Sequence, residues 1–308
     1  MRYHEPVCPM PEDKVLRLIV DTDAANEADD QYAIVQALLS PRLDIRAITA
    51  AHFGEEKSAR SMEESYAEIL KILTMMNKQK DVFHMPVLRG ACHALLNDGK
   101  PIESEATRGI IEEALRPEKK PLFVIVLGAL TNVASALLIE PRIAERITVI
   151  WIGGNAYPSG GWEYNLKNDP IAARCVFEGS VPLWQVPRNV YQMMLVSIAE
   201  LAVHVRPCGE IGHYLFSHLV EWGQTYWGKR SSQRTGECWF LGDSPAVGLL
   251  LNEQEFHYHM ESAPHIREDL SYELNKGHRM IRVYDSVDSR FILQDLYAKL
   301  WLFTKPGQ

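Results

Sequence analysis

Five carboxylates, Asp21, Asp23, Glu27, Asp29 and Asp30, fall within ten residues of one another near the start of the chain. Side chains of one sign packed this closely repel, and they stay ionised together only around something positive. No lysine or arginine stands in the run, which points to a bound cation. No histidine or cysteine stands there either, so the donors are all oxygen and suit Ca²⁺ or Mg²⁺ better than zinc. Helix capping by Asp29 and Asp30 accounts for two of the acids and leaves Asp21 and Asp23 without a role.

Short apolar runs must carry these residues to one place. Val15–Val20 reads as a strand ending at Asp21, and Ala33, Ile34, Ala37 and Leu38 mark a helix that Pro41 stops. Further strands are predicted at 43–50, 82–88, 122–127, 147–152 and 181–186. Helices are expected at 58–76, 104–115, 131–140 and 169–178. This alternation predicts an α/β chain with a mostly parallel sheet flanked by helices. Residues 197–227 read as helix broken near Pro207-Cys208-Gly209, followed by a helix at 245–251, paired strands at 255–262 and 279–285, and a closing helix at 289–303. The expectation is one domain over 1–308 with a C-terminal helical and hairpin elaboration. Ligands of open parallel sheets sit beyond the carboxyl ends of the strands, which singles out 21–30, 50–55, 128–132 and 153–165.

Composition narrows the class. Of 308 residues, 46% are hydrophobic and 23% charged, which is globular usage. The net charge of −8 and the lack of a long basic run argue against nucleic acid or an anionic membrane as partner. No apolar run reaches the roughly 18 residues of a spanning helix. The opening residues carry no export signal, and five scattered cysteines read as reduced thiols of a cytoplasmic protein.

Four segments in register carry a family resemblance over roughly residues 14–251. They are Asp21-Thr22-Asp23 with Asp29-Asp30; Gly128-Ala129-Leu130-Thr131-Asn132-Val133-Ala134 with Glu140-Pro141-Arg142-Ile143; Trp162-Glu163-Tyr164-Asn165 with Asp169-Pro170-Ile171-Ala172-Ala173; and Asp243-Ser244-Pro245-Ala246. Together they resemble the nucleoside hydrolases of the inosine–uridine type. The resemblance implies hydrolysis of the N-glycosidic bond between ribose and a base, with a nucleoside or related N-riboside as small-molecule partner and a homodimer or homotetramer as assembly. It implies a Ca²⁺ ion held by the carboxylates of Asp23, Asp30 and Asp243 and the backbone carbonyl of Thr131. Asp23 would be the general base, and Asp29, Glu163 and Asn165 would hold the ribose.

The departures from the family pattern are as informative. Ala24–Ala28 lengthens the first loop, and Ala51-His52-Phe53-Gly54-Glu55 lacks the asparagine that touches ribose, leaving His52 or Glu55 as substitutes. Gly242 stands where many members place a histidine that protonates the departing base. Trp222, Tyr226, Trp227, Trp239 and Phe240 offer stacking partners instead, which favours purines because they can leave after protonation at N7. Two other readings compete: a ribose- or nucleoside-binding protein that keeps the metal cage without turnover, and a haloacid-dehalogenase-like phosphatase with Asp21 as nucleophile.

Overall fold

The computed structural model describes residues 9–96, 99–230, 236–274 and 279–305. In chain order the strands are β1 (Leu16–Thr22), β2 (Leu43–Ala50), β3 (Val87–Arg89), β4 (Leu122–Val126), β5 (Ile147–Ile152), β6 (Leu183–Val186), β7 (Leu195–Ser197), β8 (Cys238–Phe240), β9 (Tyr258–Ser262), β10 (His265–Ile266), β11 (Tyr272–Glu273) and β12 (Met280–Tyr284). Eight of them form one sheet in the order β3-β2-β1-β4-β5-β6-β12-β9. All neighbours in it are parallel except β9, which runs antiparallel to β12.

The helices are α1 (Asp30–Leu38), α2 (Ser61–Gln79), α3 (Glu105–Leu115), α4 (Thr131–Ile139), α5 (Tyr164–Asn168), α6 (Pro170–Glu178), α7 (Arg188–Tyr191), α8 (Ile198–His204), α9 (Gly209–Gly223), α10 (Ser244–Leu251) and α11 (Ser289–Thr304). Strand residues two apart share a face, so alternate apolar side chains feed two cores. Leu18, Val20, Ile125 and Ile150 pack beneath α1, α2, α10 and α11, whereas Ile19, Val124, Val149 and Trp151 pack beneath α3, α4 and α6. The predicted class, a mostly parallel sheet flanked by helices, is the one observed. Among the described residues no helix is long and apolar enough to cross a membrane, and Cys92, Cys175 and Cys208 are free thiols. Cys8 lies outside the described residues.

One strand is shorter than expected. The strand predicted at 82–88 shrinks to 87–89, because the Asn77 side chain takes both backbone groups of Phe83: the Phe83 N–H donates to Asn77 Oδ1 at 2.8 Å, and Asn77 Nδ2 donates to the Phe83 carbonyl at 2.9 Å. A strand needs those groups for its ladder. The predicted C-terminal strand pair is present, β9 against β12, and β12 also pairs parallel with β6, so the pair extends the main sheet.

Asn132 braces the sheet's mouth. Its Nδ2 donates to Asp21 Oδ1 at 2.8 Å and to the Ala50 carbonyl at 3.2 Å, while its Oδ1 accepts from the Ala91 N–H at 2.9 Å. One buried amide thereby joins the carboxyl ends of β1 and β2 to the segment after β3. Asn132→Ala should lower stability by on the order of 2–3 kcal/mol, because it strands buried polar groups that each need a partner. A urea unfolding midpoint matching wild type would show that the brace is dispensable.

Candidate active site

A cleft of roughly 370 Å³ opens beyond the carboxyl ends of β1, β4 and β5, and six carboxylates line it: Asp23, Glu27, Asp29, Asp30, Glu163 and Asp243. Asp23 leaves the end of β1 in a turn closed by the Asn26 N–H on the Asp23 carbonyl at 2.8 Å. Asp29 stands at the N-cap of α1 yet makes no side-chain capping bond, so capping does not explain it. Asp30 begins α1 and accepts from Thr22 Oγ1 at 2.5 Å. Asp243 precedes α10, and carboxylate oxygens of Asp29, Asp30 and Asp243 lie within 4.8 Å of one another. Burial above all, then the neighbouring charges, holds Asp23, Asp29 and Asp243 well above the usual carboxylate range.

Among the described residues Asp23 Oδ2 is buried with no hydrogen-bond partner, and it lines the same cleft as the cluster of Asp29, Asp30 and Asp243. A set of carboxylate oxygens with no nitrogen or sulfur donor among them fits a hard divalent cation. Gly128 makes room for this arrangement: a Cβ there would lie 2.7 Å from Asp23 Cγ and Oδ1.

Glu163 and Asn165 form the opposite wall. Glu163 caps α5, accepting from the N–H groups of Gly154 at 2.8 Å and Leu166 at 2.9 Å, and from the Tyr191 hydroxyl at 3.0 Å. Asn165 Nδ2 donates to the carbonyls of Leu127 at 2.7 Å and Ile152 at 2.8 Å. That pins its amide between the ends of β4 and β5 and leaves its carbonyl oxygen without a partner among the described residues.

Asp23, Asp29, Asp30, Glu163, Asn165 and Asp243 thus meet in one cleft, whereas Thr131, His52 and Trp239 are not among the residues lining it. Thr131 opens α4, so its carbonyl points along that helix, and its hydroxyl donates to Asp169 Oδ2 at 2.7 Å. Leu127, at the end of β4, borders the cleft in its place. His52 is buried with both ring nitrogens engaged, Nδ1 accepting from the Gly54 N–H at 3.2 Å and Nε2 meeting Thr131 Oγ1 at 2.8 Å. Burial, and then His93, lowers it to about 4, so it is a neutral tether; it borders a separate hollow shared with Glu55 and His93. Trp239 is buried edge-on against Trp222, with ring centroids 5.4 Å apart. Of the five aromatics expected to stack, only Phe240 lines the cleft, where Trp162, Tyr164 and Tyr191 accompany it.

Asp21 is fully buried behind Thr49 and Asn132 and does not line the cleft, so the phosphatase reading loses its nucleophile.

Sequence reasoning missed the cations. Lys57, from the loop after β2, donates to the Asn26 carbonyl at 3.2 Å and to Asn26 Oδ1 at 2.5 Å, with its ammonium 4.6 Å from the Tyr164 ring centroid. Burial lowers its pKa, while Glu27, Asp23 and Asp29 oppose that shift. Arg188 and Arg230 border the cleft itself. The acids therefore do have positive neighbours, brought by the fold from outside their own run. Tyr191 was missed as well: a Cβ on Gly242 would lie 3.2 Å from Tyr191 Cδ2, so this ring covers the place of the absent histidine.

Gly128→Ala should displace the Asp23 carboxylate and weaken Ca²⁺ binding by roughly 10–100-fold, as the loss of a ligand's supporting contacts does elsewhere. Calorimetric titration with CaCl₂ measures this, and unchanged affinity would mean that Asp23 is not a ligand or has room to spare.

Known proteins can be set beside this geometry. Residues 18–293 match the family model described as inosine-uridine preferring nucleoside hydrolase. The pyrimidine-specific ribonucleoside hydrolase RihA of Salmonella paratyphi A is 28% identical over 211 residues, covering 60% of this chain and 64% of that protein. The chain spans about three-fifths of the length of such curated relatives. The purine-preferring ribonucleoside hydrolase from Gardnerella vaginalis superposes with a TM-score of 0.75 at 20% identity, over 94% of this chain and 99% of that one. The plant nucleoside hydrolase PpNRh1 gives 0.73 at 20% identity with the same coverage, and at such identity the likeness is one of fold. With the matched segments converging on one acidic cleft, the chain belongs to the inosine-uridine preferring nucleoside hydrolase family.

Proposed function

We propose that the chain hydrolyses the N-glycosidic bond of ribonucleosides, with Asp23 as general base and Ca²⁺ held by Asp23, Asp30 and Asp243. The observation that carries the reading is the Oδ2 of Asp23, buried and unpartnered among the described residues, in a cleft that the Asp29, Asp30 and Asp243 carboxylates also line. The backbone donor expected of Thr131 passes in this reading to Leu127, which borders the cleft.

Glycosidic cleavage runs through a transition state with positive charge on the ribosyl ring. Carboxylates fixed below that ring stabilise the charge as it develops, without reorganising when the bond breaks. Asp29, Glu163 and Asn165 grip the ribose hydroxyls from two sides, and Glu163 is immobilised for this by its own hydrogen bonds. Asp23 accepts the proton of the attacking water. A bound divalent cation supplies Lewis acidity, favouring water ionisation and fixing the sugar.

Among the described residues no histidine lines the cleft. Tyr191 covers Gly242, but its hydroxyl already donates to Glu163. The departing base therefore relies on its own basicity, and we propose a preference for purines, whose N7 accepts a proton, stacked among Trp162, Tyr164 and Phe240.

The test is reducing-sugar release from inosine and uridine with added CaCl₂. Inosine should give the higher kcat/KM, and Asp23→Asn at saturating calcium should lose roughly 10²–10⁴-fold in kcat. Binding without sugar release would move the protein to a non-catalytic role. Near-normal turnover of the variant would place the base elsewhere.

Calcium should also raise Tm, and by more at pH 8 than at pH 5. The carboxyl groups of Asp23, Asp29 and Asp243 have folded pKa values above their unfolded ones. Their ionisation therefore costs the ion-free fold stability as pH climbs from about 4 toward those raised values. A bound cation removes that cost. Thermal melts in EDTA and in CaCl₂ at both pH values measure it, and an increment that does not grow with pH would argue against a carboxylate cage.

A further inference from the structure

The cleft is charged in two ways: its acids form the floor, and Arg188 and Arg230 stand on its border. We propose that the substrate carries an anionic group, a carboxylate on the base or a phosphate on the 5′-oxygen, and that Arg188 receives it with Arg230 alongside. This deepens the N-riboside hydrolase reading and rests on it.

Arg188 begins α7, one turn from Tyr191, so both side chains rise on the same wall. Its guanidinium carbon lies 5.7 Å from the Trp162 ring centroid. Other arginines of the chain close onto carboxylates: Arg17 onto Glu113 at 3.0 Å, Arg89 onto Glu63 at 3.2 Å and Arg142 onto Glu140 at 2.6 Å. Arg188 borders a cleft lined by six carboxylates, yet among the described residues none lies within 4.0 Å of it. A guanidinium that served to neutralise the floor would fold onto one of those acids. Held on an indole instead, it presents donors to whatever occupies the cleft.

Arg230 is pinned in a similar way. Its guanidinium carbon lies 3.5 Å from the Tyr226 ring centroid, and Nη1 donates to the Tyr226 carbonyl at 3.2 Å. A planar guanidinium fork matches carboxylate or phosphate oxygens, whereas a neutral nucleoside offers it no charged acceptor. The separation of charge also sets polarity along the substrate: the ribosyl ring, which becomes positive, lies over the acids, and the anionic end meets the arginines.

Matched pairs test this in the calcium-loaded protein. Uridine is compared with orotidine, which adds one base carboxylate, and inosine and uridine are each compared with their 5′-monophosphates. Reducing-sugar release gives kcat/KM, and where no member of a pair turns over, dissociation constants from calorimetry take its place. One charged series should exceed its neutral partner by roughly 10–100-fold, the worth of a hydrogen bond to a charged group. The series that responds identifies the anion. In Arg188→Met the charged-to-neutral ratio should fall to about threefold or less, and Arg188→Lys, which keeps the charge but not the fork, should retain part of it.

Neutral members that match or exceed both charged series overturn the proposal. So does a ratio unchanged in Arg188→Met, which would assign Arg188 to the departing base or to structure. Arg188-dependent binding of a charged compound with no sugar release would overturn the hydrolase reading and leave the anion receptor standing. If neither release nor binding is found for any compound, both readings fall.

Discussion

Like charge held out of water at the end of β1 is the constraint around which the rest of the chain is arranged. Asp23, Asp30 and Asp243 are buried and Asp29 half-buried in one cleft, and much of the surrounding structure exists to keep them there. Gly128 clears the space that Asp23 enters, Thr22 donates to Asp30, and Asn132 stitches together the strand ends from which the loop departs. A parallel sheet suits this task because its carboxyl ends converge on one rim, so residues far apart in sequence can share a few ångströms.

Much of the fold was legible because parallel strands and amphipathic helices write simple periods into the chain. The acids were legible too, since five carboxylates within ten residues is a local anomaly. What the sequence concealed was whatever depended on side-chain direction. Thr131 sits in the expected segment, but the non-helical residues 128–130 separate the start of α4 from Leu127, which borders the cleft. His52 follows the right strand yet turns toward a different hollow, fixed by Gly54 and Thr131. Lys57 and Arg188 carried no local signal, because each lies outside any motif and reaches the site only through tertiary placement.

The aromatic residues teach the same lesson from the other side. A run rich in tryptophan before Asp243 suggested a stacking platform, but Trp222 and Trp239 pack against each other at 86°. The cleft draws instead on Trp162 and Tyr164 from the α5 entrance, on Tyr191 from α7, and on Phe240 at the end of β8. Sequence proximity to a catalytic motif says little about facing it; strand and helix direction decide.

Tyr191 and Gly242 carry a consequence for how the site can vary. A Cβ at 242 would lie 3.2 Å from the Tyr191 ring and 3.3 Å from Asp29 Oδ2, so any side chain there needs both to give way by a few tenths of an ångström. A change at 242 is therefore felt at once by the ring that covers the cleft wall and by one of the acids of its floor. Position 242 sets the spacing between an aromatic wall and a carboxylate, and glycine is the residue that leaves both where they stand.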